Sequence, residues 1–170
     1  MNVKRIAITG PESTGKSYLS LKLAEHFKSP YVSEYAREYC EGMDLNYKIT
    51  DLEHIARKQI ENEALLMQKA DSFIFCDTEL IVIKIWAIHA FGHCPEWIEQ
   101  AIKQNHYDLY LLCNTDIPWE YDPMREHPNQ REFLFKWYEK ELKSYGFNYK
   151  VVSGLGEDRI NNAISFVDYL

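Results

Sequence analysis

The chain has 170 residues, 46% of them hydrophobic, and a formal net charge of −7. That is apolar material for one good core and too little length for two domains of ordinary size, and the acidic balance argues against broad binding of DNA or RNA, which rests on Lys and Arg neutralising phosphates. No apolar run approaches the length of a signal peptide or membrane span, and Cys40, Cys76, Cys94 and Cys113 form no C-x-x-C pair, so a reduced, soluble, cytoplasmic protein with small ligands is expected.

In chain order, Ile6-Ala7-Ile8 reads as a buried strand, and Gly10-Pro11-Glu12-Ser13-Thr14-Gly15-Lys16-Ser17 follows it. The octet matches G-x-x-x-x-G-K-[ST] at every fixed position, and Tyr18 onward has helical spacing to about His26–Lys28. A strand, this loop and a helix N-terminus make a P-loop. Gly10 and Gly15 let the backbone turn its N–H groups inward, and the helix dipole adds positive potential where phosphate oxygens lie. Residues 10 to 18, Gly10 through Tyr18, are therefore the nucleotide-binding candidates. Within them Lys16 is assigned to the β and γ phosphates of ATP and the Ser17 hydroxyl to Mg²⁺.

Tyr31-Val32-Ser33 reads as a second strand running into Glu34-Tyr35-Ala36-Arg37-Glu38-Tyr39 as its functional tip. Residues 42–48 are polar and irregular, and Thr50 with Glu53 forms a capping-box signature for a long helix to about Lys69. Phe73 to Cys76 is a central strand that delivers Asp77-Thr78-Glu79 at its carboxyl end. Helices are predicted over Leu80–Phe91, after Pro95, over Arg131–Tyr145 with Gly146 as its stop, and over Asp158–Tyr169, with strands at Leu109–Cys113 and Tyr149–Val152. The alternation predicts a three-layer α/β fold, with a mostly parallel sheet of about five strands and helices on both faces. One domain over residues 1–170 is expected, with a lid in the polar segment around 117–131.

A P-loop serves motors, switches, synthetases and kinases, so the rest of the chain must choose among them. The guanine-switch motifs D-x-x-G and N-K-x-D are missing where they would be needed. The chain instead offers a carboxylate at the tip of strand two, another at the tip of strand three, and arginines in the polar segment, which are the parts of a small-molecule kinase. Asp77 would hold Mg²⁺ through water, or cap the following helix. Glu34 would take the acceptor hydroxyl's proton, or pair with Arg37. Arg125 and Arg131 would bring guanidinium groups onto the transferring phosphate, or be solvated loop residues. His89 and His93 are spaced to share a helix face and Cys94 is adjacent, so a zinc site is considered, but beyond the histidine pair a third and fourth ligand are not evident.

Four stretches together resemble the ribosylnicotinamide kinase domain of NadR-type NAD biosynthesis proteins: the P-loop octet, S-E-Y-A-R-E-Y at 33–39, D-T-E at 77–79 and I-P-W-E-Y-D-P-M-R at 117–125. The resemblance implies ATP- and Mg²⁺-dependent phosphorylation of the 5′-hydroxyl of nicotinamide riboside to nicotinamide mononucleotide. The family often has Gly where this chain has Pro123 and Asp where it has Glu79. Read as a stand-alone chain, it holds neither the DNA-binding segment nor the adenylyltransferase domain of the best-known members. The riboside carries a pyridinium cation that aromatic faces favour, which makes Tyr35, Tyr39, Trp119 and Tyr121 substrate candidates, Trp119 foremost. Arg37 belongs to the same set, and Asp122 would add countercharge or bind ribose hydroxyls. A kinase for another nucleoside or small metabolite and an ATP-binding sensor with little turnover remain as alternatives, and the residues do not define an oligomeric state.

Overall fold

The computed structural model describes residues 3–43, 46–123, 125–127 and 129–170; Asp44 and Leu45 of the expected irregular segment, and Met124 and Pro128 of the expected lid, lie outside the described residues. Along the chain run β1 (Lys4–Thr9), α1 (Lys16–Phe27), β2 (Tyr31–Val32), α2 (Tyr35–Cys40), α3 (Ile49–Met67), β3 (Phe73–Asp77), α4 (Leu80–Phe91), α5 (Glu96–Gln104), β4 (Leu109–Cys113), α6 (Arg131–Tyr145), β5 (Tyr149–Val152) and α7 (Gly156–Val167). The strands pair in the order β2-β3-β1-β4-β5, every pair parallel.

Successive strand residues point to opposite faces, and the core divides accordingly. Ile6, Ile8, Phe75, Leu109, Leu111 and Val152 pack with Leu19 and Leu23 of α1 and Ile160 and Ala163 of α7. Ala7, Ile74, Cys76, Tyr110 and Leu112 join the second cluster with Leu52 and Ile55 of α3, Ile81 and Ile85 of α4, Ile98 of α5 and Leu134 of α6. Both faces are covered, which is why β4 is buried at all five positions and reads as a continuous apolar run. Among the described residues, no helix is long and apolar enough to cross a membrane.

Two local expectations are corrected. The segment after β2 is a six-residue helix rather than an extended strand tip, with Glu34 as its N-cap. Ala36 and Cys40 are buried while Glu38 between them is exposed, a pattern that a helix satisfies and a strand, which would put all three on one face, does not. The start of α3 is closed by Asp51, whose carboxylate accepts the Lys48 backbone N–H at 2.6 Å; Glu53 instead accepts the Trp97 indole N–H at 2.6 Å.

The parallel register brings the functional stretches to one edge. Ile8 lies level with Asp77 on one side and Leu111 on the other, and Val32 lies level with Cys76. The loop after β1, the start of α2 and the end of β3 therefore share the carboxyl edge of the sheet, where open α/β folds place their ligands.

Candidate active site

The P-loop leaves β1 through a close approach that only glycine permits. At Gly10, with φ 130°, an added Cβ would lie 3.0 Å from the Cys113 carbonyl oxygen at the end of β4. Gly15, at φ 76°, takes the left-handed conformation as N-cap of α1. Between them Ser13 is left-handed without being glycine, at φ 54°, a local strain held by its surroundings. The Thr14 hydroxyl donates to the Pro11 carbonyl at 2.7 Å, and the Lys16 ammonium donates to the same oxygen at 2.8 Å.

The loop forms one wall of a cavity of about 570 Å³, the size range of small-ligand sites. Of the residues singled out in the sequence, Gly10, Pro11, Glu12, Ser13, Thr14, Gly15, Lys16, Ser17, Tyr18, Glu34, Arg37, Asp77, Asp122 and Arg125 line it. Tyr35, Tyr39, Trp119, Tyr121 and Arg131 are not in its wall. Tyr35 and Tyr39 turn from α2 toward α3, where the Tyr39 hydroxyl donates to Asp51 at 2.8 Å and both rings pack on His54. Tyr121 is 85% exposed. The Trp119 ring has the guanidinium carbons of Arg125 and Arg131 at 5.9 and 6.0 Å, so this side chain already has cationic neighbours from its own chain.

Asp77 is 1% exposed. Its Oδ2 accepts the Tyr31 hydroxyl at 3.3 Å, and its Oδ1 makes no hydrogen bond of normal geometry. Burial raises its pKa, while the Ser17 hydroxyl and the Lys16 ammonium draw it back down. Glu34 is raised as well, first by burial and then by the Asp77 charge, with Lys16 and Arg37 opposing. The helix cap considered for Asp77 belongs to Glu79, whose carboxylate accepts the Ile81 N–H at 2.7 Å and the Thr9 hydroxyl at 2.8 Å. The ion pair considered for Arg37 is with Asp122, at 3.0 Å, not with Glu34. A half-satisfied buried carboxylate beside a serine hydroxyl is a hard-oxygen donor set that fits Mg²⁺.

The segment between β4 and α6 is fastened to the P-loop. Arg131 Nη1 donates to the carbonyls of both Ser13 and Ile117 at 2.9 Å. Arg125 donates to the Ser13 hydroxyl at 3.3 Å and to the Glu120 carbonyl. The Glu12 carboxylate accepts the backbone N–H groups of Glu126 and His127. Two guanidinium groups thus stand at the loop that would carry phosphate. The zinc candidates do not gather: His89 bonds Gln130 at 3.0 Å, His93 bonds the Phe91 carbonyl at 3.2 Å, and no cluster of three or more metal-ligating side chains occurs among the described residues.

Sequence reading missed the apolar part of the wall. Val82, Ile85 and Trp86 of α4 and Leu134 and Tyr138 of α6 line the cavity, and His89, considered only for zinc, continues the α4 face. Their spacings, i, i+3, i+4, i+7 on α4 and i, i+4 on α6, mark single helix faces. The signal was masked because α4 is apolar nearly all round.

The AAA domain family model matches residues 5–159. The trifunctional NAD biosynthesis/regulator protein NadR of Escherichia coli is 28% identical over 127 residues, which are 72% of this chain and 31% of NadR. The chain thus spans about a third of that curated relative. A crystal structure of NadR protein in complex with NR superposes with a TM-score of 0.84 at 22% identity, over 99% of this chain and 50% of that one. NadR in complex with NAD and AMP-PNP gives 0.77 at 25% identity, over 99% and 49%. A deoxyadenosine kinase from M. mycoides gives 0.66 at 16% identity, over 97% and 98%. The P-loop, the all-parallel sheet and these matches lead to one conclusion: the chain has the fold of the P-loop kinases and belongs to the AAA domain family.

Proposed function

We propose that the protein transfers the γ-phosphoryl group of ATP to the 5′-hydroxyl of nicotinamide riboside, giving nicotinamide mononucleotide and ADP. The observation that carries this reading is the presence of Glu34, Asp77 and the P-loop in one cavity wall together with the aromatic Trp86 and Tyr138. The likeness to NadR, solved with NR and with AMP-PNP, supports both the acceptor and the donor.

The roles follow from the charges. The backbone N–H groups of the P-loop and the Lys16 ammonium hold the β and γ phosphates. Ser17 and Asp77 are the residues that would hold Mg²⁺, which when bound supplies charge neutralisation on those phosphates. The acceptor oxygen attacks the γ phosphorus, the bond to the bridging oxygen of ADP breaks, and Glu34 takes the hydroxyl proton. Its raised pKa makes it a better proton acceptor than an ordinary carboxylate, with Lys16 and Arg37 pulling against the rise. Arg125 stands where it can meet negative charge developing on the transferring group. The segment over 117–131 acts as a lid, fastened by Arg131 and Glu12, that keeps water from the phosphate. Trp86 and Tyr138 offer the aromatic surface for the pyridinium, and Asp122 adds countercharge.

A coupled ADP-release assay across nicotinamide riboside, cytidine, uridine, adenosine, deoxyadenosine and pantothenate tests the reading. Preference for nicotinamide riboside supports it. Preference for another acceptor replaces the substrate and keeps the kinase, and tight ATP binding with no ADP release from any acceptor turns the reading into that of a sensor.

A further inference from the structure

Among the described residues the roles above leave two buried cations unused, Lys84 and Arg159, and only the second touches the P-loop. Arg159, in the first turn of α7, is 5% exposed and lies outside the cavity wall. Its Nη2 donates to the carbonyls of Thr14 and Asn114, both at 2.9 Å, and its Nη1 donates to Asp116 Oδ1 at 2.7 Å and to the Gly154 carbonyl at 3.2 Å. The second oxygen of Asp116 accepts the Gly154 N–H at 2.7 Å, and the Asn114 amide donates to the Ser153 hydroxyl at 3.0 Å. One guanidinium therefore joins three segments: the P-loop, the turn after β4 and the turn after β5.

The bond to Thr14 has its effect at the next residue. No cis peptide occurs in the described chain, and in a planar trans peptide the carbonyl of one residue and the N–H of the next point in opposite directions. Holding the Thr14 carbonyl on Arg159 therefore aims the Gly15 N–H away from Arg159. Gly15 is part of the cavity wall, at the mouth of α1. A peptide ending in glycine can rotate cheaply, so its direction needs an external clamp.

We infer that Arg159 is a positioning residue for the donor nucleotide: acting through the Thr14–Gly15 peptide, it keeps the Gly15 N–H directed at phosphate. The inference rests on the reading of the cavity as a nucleotide site. A purely structural plug would be served as well by an apolar side chain, since buried ion pairs seldom surpass hydrophobic replacements in stability. Here the guanidinium is buried with its Nε lacking a hydrogen-bond partner, while its four Nη bonds converge on three separate loops. A lysine has no planar fork to span three carbonyls and a carboxylate.

The test is equilibrium binding of a fluorescent ATP analogue to wild type, Arg159→Met, Arg159→Lys and Asp116→Asn without acceptor, followed by steady-state kinetics and melting curves. Arg159→Met is expected to weaken nucleotide binding and raise the donor KM by about tenfold, with the acceptor KM within about twofold, as loss of a charged hydrogen-bond donor should. Arg159→Lys should recover part of the donor affinity. Unchanged donor affinity in a folded Arg159→Met chain, with only its melting temperature lowered, overturns the inference. Should Arg159→Met fail to fold, Asp116→Asn decides: it loosens the guanidinium without emptying the site, and a donor affinity equal to wild type overturns the inference while a loss of about threefold supports it. A wild-type chain that binds no analogue overturns the nucleotide reading itself, and the inference with it.

Discussion

Tyr31 donates its hydroxyl to one carboxylate oxygen of Asp77 at 3.3 Å, and the other oxygen of that carboxylate is buried without a hydrogen bond. An acid left half-satisfied in a desolvated position costs stability unless a cation completes it. Asp77→Asn keeps the shape and removes the charge. It is expected to lower kcat/KM by about 100-fold or more, with partial recovery as Mg²⁺ is raised, while the melting temperature stays level or rises. Melting curves and a Mg²⁺ titration check this. A collapse in stability with no metal dependence would assign Asp77 a structural role.

Stability should fall with rising pH across the mildly acidic range. Glu79 is 2% exposed, and burial pushes its carboxyl up to about 7 from its ordinary 4.5, against the pull of the Ile81 N–H and the Thr9 hydroxyl. The folded chain thus holds this proton more tightly than the unfolded one. Its contribution is fully present below pH 4.5 and is lost as pH rises through 7. Glu34, Asp77 and Glu63 are raised in the same direction, first by burial, and add to the slope. Differential scanning calorimetry of the ligand-free protein should show Tm falling between pH 5 and 7.5, and Glu79→Gln should flatten the fall. A Tm that climbs through this window contradicts the assignment.

Arg131 does not touch the cavity, yet one of its nitrogens holds both the Ser13 and the Ile117 carbonyls. Arg131→Ala should free the 117–127 segment and cost about tenfold in kcat, the scale of losing hydrogen bonds from a charged donor. Limited proteolysis reads the freedom directly. Cleavage in this segment should be faster in the variant than in wild type, and ATP should slow it less.

The aromatic contacts to a pyridinium are assigned to α4 and α6. Trp86→Leu should raise the KM for nicotinamide riboside by about ten- to thirtyfold, since a desolvated cation–π contact is worth up to about 2 kcal/mol. Trp119→Leu should act mainly on kcat through its two arginines. The uncharged reduced riboside should suffer less from Trp86→Leu than the cation does. An equal penalty on both acceptors would mean that Trp86 only packs.

Most of the fold was readable because its signals are local. A strict P-loop octet between an apolar run and a helical pattern fixes β1 and α1, and Gly146, at φ 69°, ends α6 where its position in the sequence says it should. The site was half readable for the same reason. Asp77 ends β3, while Glu34 and Lys16 lie in the connections that follow β2 and β1, and a parallel sheet gathers these at one edge. What escaped depends on tertiary direction. The helical turn at Tyr35 sends Tyr35 and Tyr39 to α3 while Glu34 and Arg37 line the cavity. Trp86 was hidden in a helix without a polar face, and Arg159 reaches the P-loop from 145 residues away through its guanidinium alone.

The central claim is that this cavity forms a phosphate ester on the 5′-oxygen of nicotinamide riboside with Glu34 as proton acceptor. The most direct measurement is ³¹P NMR of the products from ATP, Mg²⁺ and nicotinamide riboside, run with wild type and Glu34→Gln. The account predicts one new phosphomonoester resonance coupled to the two 5′ protons, formed in step with ADP, and about 100-fold or more slower with Glu34→Gln at nearly unchanged ATP binding. Inorganic phosphate as the sole product, an ester on another hydroxyl, or full turnover by Glu34→Gln would contradict it.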